Sequence, residues 1–359
     1  MQKNMKKQKI CELHSSLRHL MRQYRWSGFF PVEGLDQTDP NKIRFTMNSI
    51  YTIYYIGSLI GHYHYVFSAL LLFFGSALLG IIFSIKLAKN WPVLISEAAV
   101  IEDSLAEIRT TNNTPTKCNV AAHIVMFLGL VEHLLSKYFK IKLVMTCSGE
   151  TTLNYAVIKK YFLDKNFYVF EYVPYDPIIG ILLEVSCLQA TFIWNFVDVL
   201  IMLVSIYITS YFNDLNNAIN SYEDKDLTPW SRLRGYHSQI VILLKKINTQ
   251  LNFFLMVSFS SNLFFICYQL FNSLQAKPSP VYLIYYLFSF LFLVLRTLTL
   301  SILTANVHSA AQGPLLALYE TPTSSCNIEV QRFQLQLRYT TIGLSGLFFH
   351  VTRKTIPRV

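Results

Sequence analysis

The sequence predicts an all-α fold, a polytopic membrane helical bundle, and three observations carry that prediction. Of 359 residues, 52% are hydrophobic and only 14% are charged, whereas a soluble domain carries about 25% charged residues. Apolar runs at 65–85, 119–135, 178–208, 251–271 and 281–303 are each near or above the ~20 residues that a membrane-spanning helix needs. These runs are continuous and leucine-rich, which separates them from the ~10-residue alternating strands of a membrane barrel. Helices satisfy their own backbone groups in lipid, where no water is present to do so.

In chain order, residues 1–44 are polar and basic (Lys3, Lys6, Lys7, Lys9, Arg18, Arg22, Arg25, Lys42, Arg44) with no early apolar stretch. They carry no cleavable signal pattern and are expected to stay in the cytosol. The bundle is expected over 45–304, with spans at about 45–62, 64–86, 119–137, 179–209, 250–272 and 281–304. The first span is short and ends in "GHYHY", which points to a tight hairpin with the second. Residues 305–359 are read as a cytosolic loop and an anchor-like helix. With the amino terminus inside, most lysines and arginines fall in cytosolic segments, as the positive-inside rule requires, although the 137–180 segment runs against it. The net charge of +10 is then loop charge facing anionic lipid, and no nucleic-acid partner is expected. The sequon Asn112-Asn113-Thr114 falls in a cytosolic loop on this topology. A glycan at Asn112 would contradict the orientation.

Catalysis, cofactors and metals find no support in the residues. There is no G-x-S-x-G, no Walker A loop, no H-E-x-x-H and no dinucleotide-binding glycine pattern. The six cysteines (11, 118, 147, 187, 267 and 326) are scattered, with no C-x-x-C pair. His62 and His64 are more readily placed among interfacial aromatics than on a metal.

Polar groups inside the spans are the informative positions, because such residues are expensive in hydrocarbon and face the bundle interior or a cavity. Glu132 and His133 lie toward the outer end of the third span. Trp194, Asn195 and Asp198 lie in the fourth, where their i, i+3 and i, i+4 spacing puts them on one side of the helix. Carboxylates and amides that exchange hydrogen bonds with hydroxyls, beside an indole face, are the chemistry that holds a neutral polyol. The same residues also fit interhelical glue, and the residues alone leave both readings open. Arg296, deep in the sixth span, is expected to form an interior ion pair or to snorkel toward the membrane surface. Asn262 and Gln269 share one face of the fifth span. Tyr172 and Tyr175, in "FEYVPYDP", are candidate contacts at the outer mouth.

The stretches "FFPVEGLDQ" (29–37), "KLAKNWPVLISEAAVIE" (86–102), "LVEHLLS" (130–136), "FIWNFVDVLIMLVSIYITSYFNDLN" (192–216) and "FQLQLRYTTIGLSGLFFHVTRK" (333–354) together resemble the insect gustatory receptor family, in its sugar-receptor subfamily. The resemblance implies a seven-helix receptor with its amino terminus inside, similar to insect odorant receptors. It also implies a homo- or hetero-tetramer in the plasma membrane of taste neurons, forming a ligand-gated nonselective cation channel. On that view a sugar binds in the outer half of the bundle, with Glu132, His133, Trp194, Asn195 and Asp198 as ligand or pocket-wall residues. One departure is marked. The anchor-like helix is expected to run through "GLFFHVTRK", after which the chain ends in "TIPRV" with no residues for the family's last, pore-lining helix. A truncated gene model, a splice form and a product that does not conduct alone all fit this ending, as does a sugar-binding transporter that makes no pore.

Overall fold

The structure, a computed structural model, describes residues 11–26, 32–37, 42–45, 68–111, 113–222, 229–275, 280–321, 328–347 and 351. The span expected at 45–62 (apart from Phe45), the start of the next, His62, His64, Asn112 and the "TIPRV" end lie outside these residues. Ten helices are described: α1 (Glu12–Trp26), α2 (Ser68–Ser104), α3 (Thr114–Ser148), α4 (Tyr155–Lys165), α5 (Phe167–Phe170), α6 (Pro177–Asn220), α7 (Trp230–Gln275), α8 (Pro280–Ala311), α9 (Pro314–Tyr319) and α10 (Ile328–Tyr339). Five of them, α2, α3, α6, α7 and α8, are long and apolar enough to cross a membrane. Helices α3, α6, α7 and α8 run past their apolar stretches at both ends, and α2 does so at its C-terminal end, so the bundle extends beyond any bilayer it crosses.

Helix α6 is the axis. It packs against α8, α3, α7, α2 and α1, and residues 195–205 are all buried. A helix that is apolar all round is a buried one, and the run "NFVDVLIMLVS" has that pattern. Helices α3 and α8 instead expose Phe127, Leu130, Leu134, Leu287, Leu291 and Leu295, the surface that lipid would cover.

The segment read as a basic arm contributes α1, whose Leu13, Leu17, Leu20, Met21 and Tyr24 are buried. The i, i+3, i+4 spacing of these residues makes one apolar stripe, and the basic residues take the other face. Tyr24 stacks on Phe196 of α6 with centroids 3.4 Å apart and meets Ser84 of α2 at 3.0 Å. The far end of α1 therefore reaches into the middle of the bundle. Its near end is held by Glu102 of α2, which accepts from the amides of Glu12 at 2.6 Å and Leu13 at 2.8 Å and from the Tyr207 hydroxyl at 2.6 Å. A side chain from another helix thus satisfies amides that α1 leaves unpaired at its start. Arg109 closes the same corner through ion pairs to Glu12 and Asp214, with its guanidinium 4.2 Å from the Tyr211 ring centroid. The buried side of α2 facing this corner, Ala88, Trp91, Ile95, Ala98 and Glu102, is the "KLAKNWPVLISEAAVIE" motif seen in three dimensions.

After α1, "VEGLDQ" forms a turn on a two-residue antiparallel ladder, Val32 opposite Phe45 and Glu33 opposite Arg44. Gly34 has φ +81°, and a Cβ there would sit 2.2 Å from the Lys42 carbonyl oxygen. Gly34→Ala should therefore cost more than the roughly 1 kcal/mol of an ordinary glycine substitution. It is checked as a lowered thermal unfolding midpoint, and an unchanged midpoint would show that this turn bears no strain.

Two stretches differ from expectation. The 137–180 segment, expected to be a loop, is largely helical: α3 continues to Ser148, α4 packs back on it, and α5 packs on α4. Asn154 caps α4 by accepting from the Val157 amide at 2.9 Å. The anchor-like helix, expected to run on through "GLFFHVTRK", stops at Tyr339, and residues 340–347 are not helical. The β-branched run Thr340-Thr341-Ile342 and two glycines weaken the helix there, and Ser345 is tied to Asn248 of α7 by reciprocal 2.9 Å hydrogen bonds.

Candidate functional site

Asp198, the carboxylate inside the central helix, is fully buried. Ser258 donates to its Oδ1 at 2.5 Å, and Asn262 donates to its Oδ2 at 3.0 Å. Both come from α7 at i, i+4. Arg296 of α8 places Nε 3.0 Å from the same Oδ2. That N–H is not directed at an acceptor among the described residues, so the contact is chiefly Coulombic. The other guanidinium nitrogens donate to Asn195 Oδ1 and Asn262 Oδ1, at 2.5 and 3.1 Å. Trp194 adds its Nε1–H to Asn262 Oδ1 at 3.0 Å, and its ring lies 4.4 Å under the guanidinium.

Three helices, α6, α7 and α8, therefore meet in one polar knot. It contains one negative and one positive charge, and every partner is within the protein. Burying such a pair is costly unless the remaining hydrogen bonds are made, and here Ser258, Asn195 and Asn262 make them. Asp198, Asn195 and Trp194 are thus brought together as expected, with Asn262 and Arg296 beside them.

Glu132 and His133 are consecutive on α3 and so diverge by about 100°. Glu132 faces α8, accepting from Ser289 at 2.8 Å and Tyr285 at 3.3 Å. His133 faces α6, with Nδ1 3.1 Å from Thr191 Oγ1. The Thr191 hydroxyl donates to the Cys187 carbonyl at 3.0 Å. Its oxygen therefore accepts, so Nδ1 of His133 carries the proton and Nε2 is its second polar atom. Gly129, one turn before, lets α3 approach closely: a Cβ there would lie 2.9 Å from the Asn195 side chain. Gly129→Val would displace Asn195 from Arg296, with a loss of about 1–3 kcal/mol typical of overpacking. Thermal unfolding checks it, and a neutral result would show that the approach has slack.

At the end of the bundle carrying α4 and α5 lies a cleft of about 230 Å³, lined by Phe73, Phe74, Lys140, Lys165, Asn166, Tyr168, Leu183, Ser186 and Cys187. Phe73 separates it from the knot, its ring centroid 6.2 Å from that of Trp194. Beside it, Glu184 is shared by Lys137, Lys165 and the Tyr161 hydroxyl. Burial lowers the Lys165 pKa to about 8. Tyr172 is 83% exposed, and Tyr175 packs on Phe170 with centroids 5.4 Å apart. Neither lines this cleft; Tyr168 from the same segment does.

A family model described as trehalose receptor matches residues 2–358 of this chain. The chain belongs to this family of gustatory receptors. Among proteins similar to it is the Drosophila melanogaster gustatory receptor for sugar taste 64f, 30% identical over 368 residues that cover 96% of this chain and 77% of that protein. The gustatory receptor for sugar taste 64a of the same species is 26% identical, over 91% of this chain and 76% of that protein. The gustatory receptor 5a for trehalose is 27% identical over 75% of this chain and 61% of that protein. Among solved structures, the olfactory receptor OR5 from Machilis hrabei aligns with a TM-score of 0.64 at 14% identity, over 94% of this chain and 92% of that one. At that identity the likeness is one of fold: a trehalose-receptor family chain takes the insect olfactory receptor fold. The protein is accordingly a multi-pass membrane protein of receptor type.

Within that fold, the residues that sequence reasoning missed are Ser258, Ser289, Tyr285, Glu184 and the lysines around it. A serine or tyrosine in an apolar helix carries no signal alone. The spacing of Ser258 and Asn262, four apart opposite an in-membrane aspartate, is the one clue that was present.

Proposed function

We propose that the chain is a sugar receptor that works as a subunit of a ligand-gated, nonselective cation channel in the plasma membrane of taste neurons. The observation that carries this is the match over 96% of the chain to a receptor for sugar taste, supported by a fold shared over 94% of the chain with an insect chemoreceptor. In this reading the end bearing α4 and α5 faces outward, the α1 end faces the cytosol, and subunits assemble as homo- or hetero-tetramers.

Glu132 and His133 are the groups proposed to meet the sugar. Oε1 of Glu132 accepts from Ser289 and Tyr285, but Oε2 of Glu132 and Nε2 of His133 have no hydrogen-bond partner among the described residues and supply the exchange that a neutral polyol needs. Asp198, Asn195 and Trp194 are proposed as the pocket wall, because their hydrogen-bonding atoms are taken up by Ser258, Asn262 and Arg296. Tyr172 and Tyr175 remain proposed mouth contacts.

The test is whole-cell recording from cells that express the chain together with a sugar-receptor paralogue, challenged with trehalose, sucrose and glucose. A saturable inward current that reverses near 0 mV and vanishes without this chain supports the proposal. Sugar uptake without current, or no response with the chain at the surface, would refute it.

A further inference from the structure

The cleft beneath α4 and α5 differs chemically from a polyol site. The charged side chains that line it are both lysines. Lys140 lines it and forms no ion pair among the described residues. Lys165 also lines it, and shares its one carboxylate, Glu184, with Lys137. Asn166 is 3% exposed, its Oδ1 accepts from the Tyr168 hydroxyl at 3.3 Å, and its Nδ2 has no acceptor among the described residues. Both oxygens of Glu184, the carboxylate beside the cleft, are taken by Lys137, Lys165 and Tyr161, and no carboxylate is among the described lining residues.

Three lysines thus face one glutamate, beside a buried amide that lacks an acceptor. A neutral sugar would leave this excess of positive charge uncompensated. A carboxylate or phosphate brings only acceptors. The apolar walls, Phe73, Phe74 and Leu183, lower the local dielectric and strengthen a charge-assisted contact.

We propose that this cleft binds an anionic group, a carboxylate or phosphate, held between Lys140, Lys165 and Asn166. The site is separate from the sugar contacts proposed at Glu132 and His133, and it stands or falls independently of them. The anion has two possible sources, a soluble acid or the headgroup of an anionic lipid in the adjoining leaflet.

The test uses the purified full chain in phosphatidylcholine nanodiscs, titrated with gluconate, with inorganic phosphate and with neutral sorbitol, and read by thermal unfolding. Gluconate or phosphate should raise the midpoint saturably and sorbitol should not. Lys140→Gln and Asn166→Ala, each checked for folding by its ligand-free midpoint, should weaken the anion at least tenfold. Binding should also fall as pH is raised from 7 to 9, because the Lys165 ammonium loses its proton near 8 and burial lowers the Lys140 pKa as well, while Lys137, buried but with its pKa raised by Cys187 and Glu184, stays charged. If phosphatidylserine in the nanodisc raises the midpoint and abolishes the gluconate response, a lipid headgroup is the occupant and the site stands. The proposal is overturned if sorbitol acts as gluconate does, if both variants keep wild-type anion affinity, or if neither the soluble anions nor phosphatidylserine has any effect.

Discussion

Asp198→Ala is expected to destabilise the folded chain by about 3–5 kcal/mol, the cost of removing one partner from a buried ion pair. The loss arises mainly from what is left behind. Arg296, only 5% exposed, would keep its hydrogen bonds to Asn195 and Asn262 but lose the only negative charge in contact with it among the described residues. Ser258 and the Asn262 amide would lose their acceptor as well. Replacing both charges, Asp198→Leu with Arg296→Met, should recover most of the loss, because an apolar pair of similar volume has no desolvation cost to offset. The measurement is a double-mutant cycle on thermal or denaturant unfolding in detergent. A single-variant loss below about 1 kcal/mol, the size typical of an exposed pair, would show that water reaches the knot and that its burial has been overestimated.

Glu102→Ala is the second large effect, expected to cost about 3 kcal/mol or more, since each buried donor left without an acceptor costs roughly 1–3 kcal/mol. Two amides at the start of α1 and the Tyr207 hydroxyl all depend on that carboxylate. Glu102→Gln keeps an acceptor oxygen in place and should lose less. The effect should be local first: hydrogen exchange at the amides of residues 12 and 13 should accelerate before that of α6. Uniform acceleration along the whole chain would mean that α1 is not a separate cooperative unit and would contradict this picture of its anchoring.

The membrane bundle was legible because continuous apolar runs leave few alternatives. Asp198 stood out for the same reason: a carboxylate in such a run needs a partner. What the sequence could not rank was which partner. Arg296 lies 98 positions away and Ser258 lies 60 away, so no local spacing connects them to Asp198. The burial of α1 was hidden in the same way, since Glu102 and Arg109, which hold it, are about 90 positions distant. The cleft lysines were concealed by composition. A segment rich in lysine, asparagine and tyrosine reads as a solvated loop until α4 folds back and places Lys165 beside Glu184 and Lys137 of neighbouring helices. Sequence chemistry alone grouped Glu132 and His133 with Asp198 as equivalent polar groups. Geometry separates them, because both oxygens of Asp198 accept from the protein whereas one oxygen of Glu132 does, and the α3 pair sits nearer the end with the cleft.

That division of labour is the centre of the account, and the sugar dose response tests it most directly. In cells giving a sugar-evoked current, the half-maximal sugar concentration would be measured for Glu132→Gln and for the paired exchange of Asp198 and Arg296, with surface expression matched. A hydrogen bond to a charged group contributes about 1.5–3 kcal/mol, so Glu132→Gln should raise that concentration by roughly 10- to 150-fold. The paired exchange should leave it within about threefold. The reverse pattern, an unchanged response for Glu132→Gln and a large shift for the paired exchange, would place the sugar on Asp198 and contradict the account.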